Sequence, residues 1–134
     1  MSSAIGLLSS REVTPSELAA LVVESGGVVA QNNTGEGRIS DGEHHIWIYL
    51  SPQELEGVME VEGEAIVGKL GAQPKTNIVI EVSSTPGSEK LAVDFTRKFA
   101  ERWPSVVATL TGNILSLDDL IQMQMSGNQN AILQ

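Results

Sequence analysis

The sequence predicts an α+β domain: a single mixed β-sheet of about five strands with helices mostly on one face. The order is ferredoxin-like, βαββαβ, followed by a further αβα. Three observations carry this reading. Two segments, 44–50 and 76–82, alternate side chains with a period of two, as strands do. Helix-capping signatures stand at Thr14, Ser51 and Ser116, ahead of apolar residues at helical spacing. The length of 134 residues fits one domain, placed at 1–125, with a flexible polar tail over 126–134.

Each element follows from local chemistry. Residues 4–8 are a short apolar segment that reads as an edge strand. Thr14-Pro15-Ser16-Glu17 is a capping box with proline at the first helical position. Leu18, Leu21 and Val22 then line one helical face, and Gly26-Gly27 ends the helix. Residues 28–31 read as a strand, and 32–43, rich in Asn, Gly and Asp, as a long loop. In 44–50, Ile46, Ile48 and Leu50 point one way, and His45, Trp47 and Tyr49 the other. Ser51-Pro52-Gln53-Glu54 predicts a capped helix to about Leu70, with a break or kink near Gly63.

In 76–82, Ile78, Ile80 and Val82 oppose Asn77, Val79 and Glu81. Ser88 reads as the cap of a helix over 89–103, where Leu91, Phe95, Phe99 and Trp103 recur every four residues until Pro104. Residues 106–110 read as a short strand, and Ser116 caps a final helix through Met123. Strand–helix–strand crossovers imply parallel pairs in the sheet.

The net charge is −9, and it is not spread evenly. Residues 1–64 hold eleven acids against Arg11 and Arg38, whereas residues 65–134 hold six of each sign. Such a field repels nucleic acid phosphates and anionic membranes, so neither is an expected partner, and it attracts basic proteins. No apolar run approaches the ~20 residues of a membrane span. The first residues lack the basic and apolar regions of a secretory signal. The absence of cysteine excludes disulfides and thiolate metal sites; together these features predict a cytoplasmic protein.

Catalytic and ligand motifs are incomplete. Residues 63–70 read G-E-A-I-V-G-K-L, near a P-loop, but Leu70 replaces the hydroxyl that would bind Mg²⁺. Gly35-Glu36-Gly37 lies in a loop with no helix behind it to hold a phosphate. His44 and His45 are adjacent in a strand, so their imidazoles point to opposite faces and cannot readily share an ion. No metal or other cofactor is expected. Asp41 with Glu81-Val82-Ser83 lacks the lysine of the nuclease pattern. Glu54, Glu56, Glu60, Glu62 and Glu64 recur along one helix as a solvated face or an acidic docking surface. Lys90, Arg97, Lys98 and Arg102 interleave with acids on an exposed helical face.

The residues that point to function are those opposite the core on the central strand. If helices cover only one side of the sheet, His45, Trp47 and Tyr49 stand on the open side with Asn77, Val79 and Glu81. Tryptophan and tyrosine pair a large apolar area with a polar handle and serve as interface anchors. If instead the last helix or the N-terminal segment covers them, they belong to the core.

In size, acidity, lack of cysteine and strand–helix texture, residues 14–123 resemble the small acidic immunity proteins of bacterial contact-dependent and other polymorphic toxin systems. The resemblance implies a non-catalytic cytosolic antidote that binds a toxin's catalytic domain, a basic protein partner. Glu36, Asp41, Glu43, Glu54, Glu56, Glu60 and Glu81 would supply charge, with His45, Trp47 and Tyr49 as anchors. Two alternatives stay open: a small enzyme using His44 or His45 with a nearby carboxylate, or a homodimeric adaptor pairing through the same face.

Overall fold

Among the residues that the computed structural model describes (3–29, 35–109, 111–127 and 132), seven strands form one open sheet. In chain order they are β1 (Ser3–Ser9), β2 (Val28–Val29), β3 (Glu36–Asp41), β4 (His44–Leu50), β5 (Thr76–Val82), β6 (Ser105–Ala108) and β7 (Ile114–Leu115). In space the order is β2-β3-β4-β5-β1-β6-β7, and every adjacent pair is antiparallel. The helices are α1 (Pro15–Glu24), α2 (Leu55–Leu70), α3 (Ser88–Arg102) and α4 (Leu117–Met125). A 3₁₀ turn, Pro52–Glu54, precedes α2. No helix among them is long and apolar enough to cross a membrane.

The two faces of the sheet differ. Ile5, Leu7, Ile39, Ile46, Ile48, Ile78, Ile80, Val82 and Val107 line the first face. There they meet Leu18, Leu21 and Val22 of α1, Phe95 and Phe99 of α3, and Leu120 and Met123 of α4. Phe99 and Trp103 close this layer with ring centroids 4.8 Å apart. Ile132 is fully buried in the same core; most of the tail expected over 126–134 lies outside the described residues. On the second face, Leu8, Val106 and Ala108 pack against Ile66 of α2, with Leu55, Val58, Met59 and Ile114 around them. Three helices therefore share one face, and α2 alone lies on the other, over the β1-β6-β7 end.

The expected topology is corrected in several respects. Among the described residues the sheet has seven strands instead of about five, it is antiparallel instead of mixed, and the added β3 and β7 replace the expected ferredoxin-like order with βαβββαβαββα. The expected crossovers do exist as connections, since β5–α3–β6 joins two strands that run the same way. But β1 is inserted between them and pairs with both, so no parallel pair forms. For the same reason β1 is a central strand and not an edge: its partners lie some 70 to 100 positions along the chain.

The expected loop over 32–43 contains β3, which turns into β4 through Gly42 and Glu43, with Gly42 at φ 63. That left-handed value suits the first position of a two-residue hairpin turn. Residues 30–34 lie outside the described residues, so the expected strand over 28–31 is described only as β2. Leu110 likewise lies outside them.

The helix ends follow local chemistry more closely. Both ends of the Thr14–Glu17 capping box are bonded, and so are those of Ser116–Asp119. Ser51 makes no capping bond and opens the 3₁₀ turn instead; α2 begins at Leu55 and continues through Gly63 without a break. Gly87, at φ 100, takes the cap position expected for Ser88, whose side chain is buried against Ser83.

Candidate functional site: the open half of the second sheet face

α2 covers only one end of the second face. Over β2, β3, β4 and the Glu81 end of β5 that face carries no helix among the described residues, while the 3₁₀ turn covers β5 at Asn77. The antiparallel register sets side chains there in rows across the strands. One row runs Val28, Arg38, Trp47, Glu81, Ala4. The next runs Glu36, Tyr49, Val79, Gly6, Ala108. Directly opposed residues are close enough for their side chains to touch.

The structure thus brings together five of the expected site residues: Glu36, His45, Trp47, Tyr49 and Glu81. His45, Trp47, Tyr49, Val79 and Glu81 are half-buried, whereas Glu36 and Arg38 are exposed. The His45 and Trp47 rings lie 5.9 Å apart. Burial, and then the negative charges of Glu81 and Glu36, raise the Tyr49 phenol above its ordinary pKa of 10.0. Tyr49 is therefore flanked by carboxylates on both neighbouring strands.

Asn77 does not join this surface. It is 1% exposed, and its Nδ2 donates to the Ser51 carbonyl at 3.0 Å, while the Ser51 N–H donates to the Asn77 carbonyl at 2.8 Å. Those two bonds pin the 3₁₀ turn that carries Gln53 and Glu54. Between this turn, α2 and the small residues of β1 and β6 lies a groove of about 600 Å³. Ala4, Gly6, Val79 and Ala108 form its floor, Val58 and Val61 its helical wall, and Glu54, Glu62 and Gln53 its rim. Glu56 and Glu60 are exposed on α2 and do not line it. Asp41 and Glu43 are exposed at the β3–β4 turn; Asp41 shares the face of Ile39, away from Trp47.

The charges separate by layer. Glu54, Glu56, Glu60, Glu62 and Glu64 belong to the second-face layer. Lys90, Arg97, Lys98 and Arg102 lie on α3, across the sheet. Arg102 pairs with Glu24 of α1, and Arg97 with Gln124 of α4 and Glu101, so two of those cations are engaged. On the open half, Arg38 is the one cation among the described side chains.

The histidines fall on opposite faces, as their adjacency requires. The His44 ring packs against Gly87 at the start of α3. His45 Nδ1 lies 2.8 Å from Ser40 Oγ. A hydroxyl beside an imidazole is the first requirement of nucleophilic catalysis, and a third group orienting the base is the next. Neither histidine pairs with a carboxylate among the described residues.

Arg38 and the groove-lining Ala4, Gly6, Gly57 and Ala108 are not among the site residues expected from sequence, whereas Glu62 belongs to the acidic helix series named there. The Glu36–Ser40 alternation around Ile39 is the signal for β3 and hence for Arg38. Nothing local marks the groove, because its floor is a meeting of three distant strands. No protein-family model matches this chain, and neither a curated protein nor a solved structure matches it.

Proposed function

We propose that this chain is a non-catalytic binding protein that holds a basic protein partner on the open half of its sheet, in the manner of an immunity protein neutralising a bacterial toxin domain. One observation carries the reading: Trp47 and Tyr49 stand half-exposed in direct register with Glu81 and Glu36, on the half of the second face that carries no helix among the described residues. Large aromatic side chains ringed by acids suit a cationic protein surface: the rings supply buried area and the acids supply steering. The concentration of glutamates in the adjoining α2 layer extends the negative field around the anchors. A toxin that grips an anionic substrate would find its basic groove filled by these carboxylates.

The test is comparative capture from the native cell. Wild-type chain and a Trp47→Ala/Glu81→Lys variant are used as baits, and the protein retained by the first and lost by the second is purified. Its association with the wild-type chain is then timed across a salt series. Association that slows steeply with salt is expected. Rates that stay flat from low to high salt, or a partner held equally by both baits, would overturn the reading.

A further inference from the structure

We propose that the groove between α2 and the β5-β1-β6 floor receives an aliphatic or aromatic side chain of the basic partner, flanked in that partner by lysine or arginine. The inference rests on the binding reading above and adds where, and by what chemistry, the partner is gripped beyond the open face.

Apolar surface is left uncovered here where the chain had the means to cover it. Val61, on the groove wall, is 82% exposed. Gly57 sits within α2, where glycine is a poor helix former, yet a Cβ built on it meets nothing within 4 Å. Neither packing nor a left-handed backbone requires glycine there. Gly6 is similar: its backbone is not left-handed, and an added Cβ would make only ordinary contacts with Ala108 at 3.6 Å and Leu8 at 3.8 Å. The small residues therefore hold space open. The volume, about 600 Å³, has room for a side chain and the backbone that carries it.

The rim selects the charge of the occupant. Glu54 and Glu62 line the groove, and no basic residue among the described ones does. An apolar group entering alone would strip water from these carboxylates without replacing its hydrogen bonds, which is costly. A neighbouring lysine or arginine offsets that loss; an acidic neighbour adds repulsion. The rows Tyr49–Val79–Gly6 and Trp47–Glu81–Ala4 run from the open face into the groove floor, so one bound segment can span both.

The experiment uses the full chain, amide NMR, and the peptide acetyl-Lys-Leu-Lys-Phe-Lys-amide as probe. Two control peptides replace its lysines by glutamate, or its Leu and Phe by serine. The cationic apolar peptide is expected to shift the amides of Gly6, Gly57, Val61 and Ala108, and both controls to leave them in place. Gly57→Leu, which fills the groove, and Val61→Lys, on a largely exposed wall position, should each weaken binding by about tenfold or more. Having two such variants guards against a fold defect in either. Absent shifts, equal shifts with the acidic peptide, or unchanged affinity in a folded variant would overturn the proposal. Shifts confined to the Trp47 and Tyr49 strand would also overturn it, while leaving the open-face reading intact. Salt-independent partner association alongside groove shifts would do the reverse.

Discussion

Trp47 on β4 stands directly across from Glu81 on β5, with Arg38 on its other side. The pair places a large apolar ring beside a carboxylate on the face that α2 leaves uncovered. Neither residue contributes to the first-face core, where Ile46 and Val82, their chain neighbours, are fully buried. The proposed binding role and the fold can therefore be tested separately at these positions.

Trp47→Ala is expected to weaken partner binding by about 2 kcal/mol, roughly thirtyfold, as truncation of an interface anchor does. The cost to the fold should stay near ~1 kcal/mol, the scale of one cross-strand pair. Calorimetry of the complex and thermal unfolding of the free chain read the two separately. A large loss of stability with unchanged affinity would return Trp47 to a purely structural role.

Tyr49 is the only tyrosine in the chain, so its ionisation can be followed by absorbance alone. Its pKa is raised, first by burial and then by Glu81 and Glu36. A raised phenol pKa stabilises the fold fully below the unfolded value near ~10, and that contribution is lost as pH climbs through the folded pKa. The midpoint should therefore lie above that of the denatured chain. Glu81→Gln and Glu36→Gln should each move it down. An unmoved midpoint in both variants would place the carboxylates out of range of the ring.

Lys69 Nζ reaches Asp119 Oδ2 at 3.0 Å and ties α2, on one face, to α4, on the other, around the β7 edge. The Ser116 backbone N–H first, and then Lys69, hold the Asp119 pKa below its usual value. A lowered carboxyl pKa gives stability that is present above the unfolded value, near ~3.9, and is lost as pH falls through the folded pKa. Denaturation midpoints across acid pH should thus fall less steeply in Asp119→Asn. Both partners are more than a third exposed, so Lys69→Ala should cost less than ~1 kcal/mol at neutral pH.

Two glycines should respond in opposite directions to alanine. A Cβ on Gly27 would come within 2.6 Å of the Arg38 carbonyl oxygen, a backbone atom that cannot step aside. Gly27→Ala should therefore destabilise by about 1–3 kcal/mol through the β2–β3 pairing. Gly57→Ala meets open space in a helix and should stabilise by up to ~1 kcal/mol. Urea midpoints of the two variants check the contrast.

Local chemistry was most legible where it is self-contained. The capping boxes at Thr14 and Ser116 form because donor and acceptor lie three residues apart. β4 and β5 declare themselves because an isoleucine on every second residue needs one buried face. β3 was hidden by composition: Ile39 is its one buried side chain, and Glu, Gly, Arg, Ser and Asp around it read as a loop. β7 is two residues long, too short for any period to appear.

The candidate site was half legible for the same reason. His45, Trp47 and Tyr49 share a face by simple alternation, and Glu81 shares one with Val79. That these two faces coincide, and that Glu36 and Arg38 join them, depends on the β3–β4–β5 register.

By itself the sequence determined which segments are helix and which are the strong strands, which side of each strand is apolar, and that the net negative charge lies in the first 64 residues. These are properties of neighbours along the chain. Only the tertiary structure decided that β1 enters between β5 and β6, that α2 crosses to the second face alone, and that it stops short of Trp47 and Tyr49. Those outcomes depend on partners dozens of residues apart and on how four helices divide two faces of one sheet. They are set by packing, which no local pattern encodes.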